Sequence, residues 1–414
     1  MNHTLYRVGA LWLALMMMSA SNWASTEPLT LAQVDRLAAE DPGIERFRLQ
    51  AESQREEAVA AGQLPDPQLS AELMQFPADR PGFSNDEMTQ IQIGLRQSFP
   101  RGDSRRIRSE RERAMARASD ARAGERERDI RREARAAYFD LLLEHRRLEV
   151  LRDSRGVFDN LVEITERSFA SGTVSQQDVL RAELELDRLE DRIDEAERQR
   201  ARSRAELERW IGEAAHRPLP ESAFPELPEH EQWDLSDHPR LQASQARIQA
   251  ESHGVELAEQ AYRPEWGVQL GYGLRTNSDV RNRHRLGAMV TVDLPIFTAQ
   301  RQDRALSARQ SQREAAVRER DEIRLGLERE LNALQSDLER YERREDRYRD
   351  RLLQVAESNA EAAERAYSAG TTEFTALMES RLLALETRLE SLSLTAERKK
   401  VQADLLYLLG ENDQ

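Results

Sequence analysis

Cysteine is absent from this chain of 414 residues. That absence excludes disulfides, thiolate metal ligands, cysteine nucleophiles and the lipid-attachment cysteine of a bacterial lipoprotein. Aromatic residues make up only 6% of the chain, charged residues make up 33%, and the mean hydropathy is -0.76, which excludes a bundle of membrane-spanning helices. The formal net charge of -15 argues against a nucleic-acid-binding protein.

Proline is missing from two long parts of the chain. All 14 prolines lie outside residues 101–217 and 296–414. Because proline is excluded from helix interiors and is common in turns, each of these spans is expected to be mostly helical with few loops.

The N-terminus has the pattern of a secretory signal peptide, predicted at residues 1–24. Arg7 supplies the positive charge, Val8 to Met18 form an apolar run too short to span a bilayer, and small residues follow up to Ser25. The sequence therefore predicts a mature protein that leaves the cytoplasm.

The rest of the chain contains an internal repeat of roughly 197 residues. The matching landmarks, in order, are Asp41-Pro42 with His238-Pro239, Pro65 with Pro264, Phe99-Pro100 with Leu294-Pro295, Gly172 with Gly370, and Gly212 with Gly410. We therefore predict a first structural repeat at 25–214, a proline-rich extended linker at 215–237, and a second repeat at 238–414.

Each repeat is predicted to begin with a helix, at 29–62 and 239–262, followed by two short strands. In the clearest strand, Trp266, Val268, Leu270, Tyr272 and Leu274 alternate with small or polar residues. Residues 69–73, 91–95 and 286–294 alternate in the same way. Strands of about 9 to 11 residues suit a tilted crossing of a bilayer, although a single such strand also suits a soluble core. Four strands cannot close a barrel, so a membrane role requires several copies of the chain.

The proline-free spans are predicted to form two long helical hairpins. Leucines at Leu327, Leu331, Leu334 and Leu338 follow the spacing of a coiled-coil seam, in which Glu345 occupies one position. The outgoing helices, about 69 residues long, would each reach roughly 100 Å. Each hairpin is expected to turn at a left-handed glycine, Gly172 or Gly370, with Ser175 or Thr372 capping the next helix.

Residue patterns for catalysis or metal binding are not found. None of the seven histidines pairs with another histidine or with carboxylates at a metal-site spacing, and Gly271 and Gly273 lie in a strand without a following helix. We therefore predict no enzyme activity, no catalytic residues, no cofactor and no metal site. The proline-free spans and the alternating strands together favour a mainly α protein with a small transmembrane β part.

Several short motifs lie at matching places in the duplicated plan: AAGQLPDPQL at 60–69, QSFPRG at 97–102, LPIF at 294–297, RSFASG at 167–172 and RAYSAG at 365–370. With the duplicated plan, these motifs resemble the TolC family of outer-membrane efflux proteins over the whole mature chain. This resemblance implies a homotrimer with a 12-stranded β-barrel in the outer membrane and a helical tunnel in the periplasm. The arginine-rich segment 97–106 is most similar to the CzcC-like subgroup that serves heavy-metal pumps.

The resemblance also implies where the channel closes and where its partner binds. Asp178 falls at a gate aspartate, Tyr367 at a gate tyrosine and Glu379 at an acidic ring position, next to the tip glycines Gly172 and Gly370. Thr372 stands where an arginine link is expected, and Ala376 stands where a second acidic ring is expected. The residues expected to dock a periplasmic adaptor are Arg167, Ser171, Thr173, Arg365, Ala369 and Thr371.

The predicted function is a passive export duct for solutes that an inner-membrane pump, of the resistance-nodulation-division type, delivers through an adaptor protein. The alternatives are a soluble periplasmic coiled-coil scaffold and, within the family, the outlet of a type I protein secretion system. The expected partners are two further copies of the chain, the adaptor, the pump and outer-membrane lipid, without nucleic acid. Cargo stays open between metal cations, drugs and polypeptides.

Overall fold

The structure is a computed structural model that describes residues 27–410, apart from residues 84, 222–223, 229–232 and 278–280. The predicted signal peptide lies outside these residues.

Among the described residues of the first repeat there are four helices and two strands. Their bounds are α1 Leu31–Ala38, α2 Pro42–Ala61, β1 Gln68–Met74, β2 Gln90–Phe99, α3 Ser104–Ala170 and α4 Gln176–Ile211, followed by a short 3-10 turn at Gly212–His216. The single helix predicted over 29–62 is wrong, because it is divided between Ala38 and Pro42. Asp41 precedes a proline and is therefore extended, and its carboxylate caps α2 by accepting the Gly43 N–H at 2.7 Å.

The second repeat follows the same order of elements. Its bounds are α5 Pro239–Gln260, β3 Glu265–Arg275, β4 His284–Asp293, α6 Gln302–Arg347, a π-helical turn Tyr348–Leu352, α7 Leu353–Ser368 and α8 Phe374–Leu409. From Gln302 to Ser368 the helical path has the length of α3, which contains 67 residues, and α4 and α8 contain 36 residues each. The prediction of two hairpins of equal reach is confirmed, and 67 residues correspond to about 100 Å.

The long helices pack through a seam that includes polar side chains. Leu327 and Leu331 are buried in the second hairpin, as the leucine spacing predicted. Glu345, the charged seam position, accepts a hydrogen bond from the Thr395 hydroxyl at 2.8 Å and lies 2.5 Å from Arg398 Nε. The half-buried carboxylate is therefore paired within the seam, which offsets its partial loss of hydration.

The four strands form one antiparallel sheet in the order β1-β2-β3-β4. Residues of β2 and β3 pair across the two repeats, with Leu95 opposite Leu270 and Phe99 opposite Trp266. The sheet therefore joins the repeats at one end of the helical hairpins.

A compact core forms where the N-terminal segment crosses α3. Leu29, Val34, Tyr138 and Phe139 are fully buried there, and the Tyr138 hydroxyl donates to the Leu29 carbonyl at 2.8 Å. Arg135 donates two hydrogen bonds of 2.7 Å to the Asp35 carboxylate. This bidentate pair fixes α1 against α3.

The segment predicted to be an extended linker is held to the helices through its described residues. Leu219, Leu227 and Leu235 are buried, and the Leu29 N–H donates to the Pro218 carbonyl at 2.8 Å. Lys399 of α8, whose side chain is only 1% exposed, forms an ion pair with the exposed Glu226. Burial lowers the pKa of Lys399, because the charged ammonium loses its hydration.

His238 caps α5 in the way that Asp41 caps α2. Its Nδ1 accepts the Arg240 N–H at 3.1 Å, its ring packs edge-on against Tyr407, and the residue is 1% exposed. Burial, assisted by the positive charges of Arg128 and Arg240, lowers the pKa of His238 to about 4 from 6.5.

This burial of a neutral histidine predicts a loss of stability in mild acid. Between pH 6.5 and 4 the unfolded chain binds a proton that folded His238 does not, so stability falls as the pH falls, by about 2 kcal/mol per chain between pH 7 and pH 5. His238→Asn keeps a capping acceptor and should remove this part of the pH dependence. The measurement is urea unfolding at both pH values, with His216→Asn at an exposed histidine as the control. An unchanged slope in His238→Asn would contradict the assignment.

Candidate functional site: the exposed sheet and the hairpin tips

One face of the sheet is apolar and exposed, as the alternating pattern predicted. This apolar face consists of Leu69, Ala71, Leu73, Ile91, Ile93, Leu95, Phe99, Trp266, Val268, Leu270, Tyr272, Leu274, Leu286, Ala288, Val290 and Val292, which the strand register places side by side. Leu270 is 59% exposed and Leu286 is 88% exposed. An apolar surface that is continuous over four strands marks contact with lipid or with another protein.

The opposite face is mostly polar and contains several glycines. Ser70, Gln92, Gly94 and Gln269 lie there, and the Ser70 hydroxyl approaches the Gly94 carbonyl at 3.5 Å. Glycines Gly267, Gly271, Gly273 and Gly287 also lie on this face. A sheet with one apolar face and one mostly polar face fits a wall between lipid and water.

The ends of the apolar face carry aromatic side chains. Phe99 and Trp266 are directly opposite each other where the sheet meets the helices, and Phe297, just after β4, is 88% exposed at that end. Tyr272 lies toward the other end, where its hydroxyl bonds to His284 Nδ1. Strand β3 has 11 residues, so at a tilt of about 40° it rises about 28 Å, close to the apolar band of a transmembrane strand.

Both outer edges of the sheet are open within the described residues. β1 pairs only with β2, and β4 pairs only with β3. Exposed strand edges invite pairing with another chain, so this sheet is incomplete by itself.

The far ends of the hairpins form two turns of the same geometry, which we call the first tip (residues 167–173) and the second tip (residues 365–371). Gly172 and Gly370 have φ of 76° and 69°. The Thr173 N–H donates to the Ser168 carbonyl and the Thr371 N–H to the Ala366 carbonyl, both at 2.9 Å. This pattern defines a Schellman motif, and it confirms the left-handed glycines predicted at both turns.

The polar groups of the two tips also correspond. Thr173 and Thr371 each donate a hydroxyl hydrogen bond to the first residue of the motif, at 2.8 and 3.0 Å. Arg167 pairs with Glu163 and Arg365 pairs with Glu361 one turn earlier, in the same i,i+4 arrangement. Ser171 and Ala369 are exposed at the turns themselves. All six residues predicted to dock an adaptor therefore lie on these tips.

The helices that leave the tips begin differently. Ser175 caps α4, because its hydroxyl accepts the Asp178 N–H at 3.3 Å while the Asp178 carboxylate accepts the Ser175 N–H at 3.0 Å. The prediction that Thr372 caps α8 is wrong, since the N-cap residue is Glu373, which makes no capping side-chain bond. Phe374 is instead buried against Tyr367, with ring centroids 5.8 Å apart.

The residues assigned to the gate occupy three different environments. Asp178 belongs to the capping box, and Tyr367 packs against the core cluster between the hairpins. Glu379 lies 3.6 Å from Arg181, which also donates to the Thr375 hydroxyl at 3.1 Å. Arg181 thus links α4 to α8, a contact across hairpins that sequence spacing does not indicate.

One histidine contradicts the expectation that no histidine stands near carboxylates at a metal-site spacing. His253 Nδ1 lies 3.4 Å from Glu256 Oε2, one turn along α5, and 3.9 Å from Glu110 Oε2 on α3. The i,i+3 spacing of His253 and Glu256 was visible in the sequence, whereas Glu110 is contributed by the other repeat.

Comparison with known proteins identifies the class of the fold. A family model described as "outer membrane efflux protein" matches residues 34–213. Among curated proteins, no sequence matches the chain significantly.

The solved structures that share the fold over nearly the whole chain include three outer membrane proteins. The outer membrane protein VceC of Vibrio cholerae superposes with a TM-score of 0.78 at 15% identity, over 93% of this chain and 97% of that chain. The Campylobacter jejuni outer membrane channel CmeC gives 0.77 at 14%, over 94% and 87%. The Neisseria gonorrhoeae outer membrane channel MtrE, in its open state, gives 0.73 at 17%, over 92% and 88%.

The fold is therefore that of outer membrane channels, in which helical hairpins form a tunnel and four strands per chain contribute to a barrel. The family model covers 180 of the 414 residues, and the similar solved structures are those of an outer membrane protein and of outer membrane channels. Among the helices of the described residues, none is both long and apolar enough to cross a membrane.

Proposed function

We propose that the chain, as a homotrimer, is the outer-membrane channel of a tripartite efflux system and acts as a passive export duct. The observation that carries this proposal is the apolar face of the sheet. Within the described residues this sheet has two open edges, and it lies at one end of two helical hairpins of equal length. Three copies would supply 12 strands, and pairing β4 of each copy with β1 of the next would leave no edge.

The tips would be the docking surface for a periplasmic adaptor. Their matching Schellman turns and arginine–glutamate pairs support two equivalent contacts per chain, and therefore six per trimer. The energy for export would come from an inner-membrane pump, since this chain offers no nucleotide-binding or catalytic pattern.

The constriction of the tunnel would lie beside the tips. Three copies of Asp178 and Glu379 around a narrow pore would concentrate negative potential, attract cations and repel anions. Tyr367 would pack at the same level. Arg181, which faces Glu379 in the described chain, would reduce that potential until the hairpins separate.

Heavy-metal cations are the cargo that we propose, with a pump of the resistance-nodulation-division type. The support is the likeness of residues 97–106 to the CzcC-like subgroup, together with an acidic constriction. Sensitivity of a deletion strain to zinc, cobalt and copper, with a dye as the control for drug export, would test this cargo.

Membrane localisation and conductance test the duct itself. The full chain is expected in the outer-membrane fraction as heat-modifiable material, and the purified protein should give stepwise conductance in a planar bilayer. Release by osmotic shock, together with a bilayer that stays silent, would contradict the duct and favour a soluble coiled-coil scaffold.

A further inference from the structure

A cluster of one histidine and two glutamates lies where the first turns of α3 approach α5. Glu110 belongs to the first repeat, and His253 and Glu256 belong to the second. One ligand atom from each residue can be chosen so that all three lie within 4.8 Å of one another. Within the described residues, this is the only group of three such side chains with that spacing.

The geometry points to a binding site for a divalent transition metal, and we propose that Glu110, His253 and Glu256 hold Zn²⁺ between the two repeats. Ligand atoms around a tetrahedral zinc lie about 3.3 Å apart, given bond lengths near 2 Å. The contacts of His253 Nδ1 to Glu256 Oε2 and Glu110 Oε2, at 3.4 and 3.9 Å, need only small side-chain movements to reach that spacing.

The chemistry of the ligands favours a transition metal over Mg²⁺ or Ca²⁺. Imidazole nitrogen with carboxylate oxygens suits Zn²⁺, whereas Mg²⁺ and Ca²⁺ prefer oxygen ligands alone. The three side chains are between 22% and 46% exposed, so an ion can reach them from solvent and water can complete its coordination.

Arg106 is a positively charged side chain that pairs with this cluster in the described structure. Its Nη1 donates to both Glu110 oxygens, at 2.7 and 2.8 Å, one turn along α3. Metal binding would have to compete with this guanidinium for Glu110. The competition supplies a test that distinguishes a metal site from a simple arrangement of ion pairs.

The position of the site suggests what the metal would do. Glu110 lies in the second turn of α3, just after β2, and His253 lies two turns before the end of α5, just before β3. A metal held there would connect the two repeats immediately below the sheet, and so would fix the junction between the strands and the helices. This inference does not depend on the cargo or on the proposed export function.

The test is isothermal titration of ZnCl₂ into the tag-free, chelator-stripped full-length protein in detergent. We expect saturable binding of one Zn²⁺ per chain, at least about tenfold weaker binding in His253→Gln, and several-fold tighter binding in Arg106→Gln, because the competing charge is removed. His145→Gln is the matched control, since His145 also lies beside a helical glutamate, Glu149 at 3.5 Å, but belongs to no group of three ligands among the described residues. That variant should bind as the wild type does.

Any of the following zinc-binding results would overturn the site. They are the absence of zinc binding by the wild-type protein, equal affinities in the wild type and His253→Gln, or an equal loss in His253→Gln and His145→Gln. A structural role of the cluster alone would lower the melting temperature of Arg106→Gln without tightening zinc binding, and this outcome would count against the site as well.

Discussion

Val290→Arg is expected to prevent the protein from assembling in the outer membrane, whereas Met289→Arg should be tolerated. The two positions are neighbours near the middle of β4, but Val290 lies on the apolar face and Met289 on the opposite, polar face. They are 61% and 51% exposed in the single chain, so exposure alone does not separate them.

The size of the effect follows from the environment of each face. Arginine on the lipid-facing side near the bilayer midplane costs about 2 to 4 kcal/mol, and a trimer would carry it three times. Arginine at Met289 would project into the water-filled lumen, where it remains hydrated. Outer-membrane fractionation and heat-modifiability on gels measure the difference. Equal membrane assembly of both variants would show that the apolar face does not meet lipid.

The strands and the long hairpins could be predicted from the sequence because their signals are local. Two-residue alternation in 266–274 is read directly as one apolar face, and two proline-free spans of similar length indicate two hairpins of equal reach. The tip glycines are also a local signal, since the left-handed conformation at Gly172 and Gly370 is strained for other residues.

The wrong predictions concern choices between neighbouring residues. The helix expected over 29–62 is interrupted because Asp41 precedes Pro42, and both residues favour a new helix start. At the second tip, the N-cap residue of α8 is Glu373, one residue later than the proposed cap Thr372, and burial of Phe374 anchors this end without a capping side chain.

Contacts between the repeats could not be predicted, because the partners are far apart in sequence. Arg181 faces Glu379 across two hairpins, and Glu110 faces His253 across two repeats. Charged residues are abundant on every helix of this chain, so many pairings are equally compatible with the sequence. Only the packing of the helices selects among them.

The way in which copies join can be derived from the internal repeat. Phe99-Pro100 and Leu294-Pro295 relate β2 to β4 by 195 residues, and Pro65 and Pro264 relate β1 to β3 by 199 residues. The β2–β3 pairing therefore predicts how β4 of one copy pairs with β1 of the next.

The observed pair of Leu95 and Leu270 fixes the predicted register. Leu95 corresponds to Val290 and Leu270 to Ala71, so these two residues should face each other between copies. Both lie on the apolar face. Because opposite residues of an antiparallel pair have Cβ atoms about 4.5 to 5.5 Å apart, cysteines introduced at both positions can be oxidised to a disulfide with little movement.

The most direct test of the closed trimeric duct is therefore disulfide formation in Ala71→Cys/Val290→Cys, which is free of background because the native chain has no cysteine. Oxidation of whole outer membranes should give a ladder on a non-reducing gel that ends at three chains. Ala71→Cys/Leu286→Cys, displaced by four residues or about 13 Å, should stay uncrosslinked. Three outcomes would contradict closure of three four-stranded sheets into one barrel. They are a ladder that continues beyond three chains, equal crosslinking of both variants, and only monomers in Ala71→Cys/Val290→Cys.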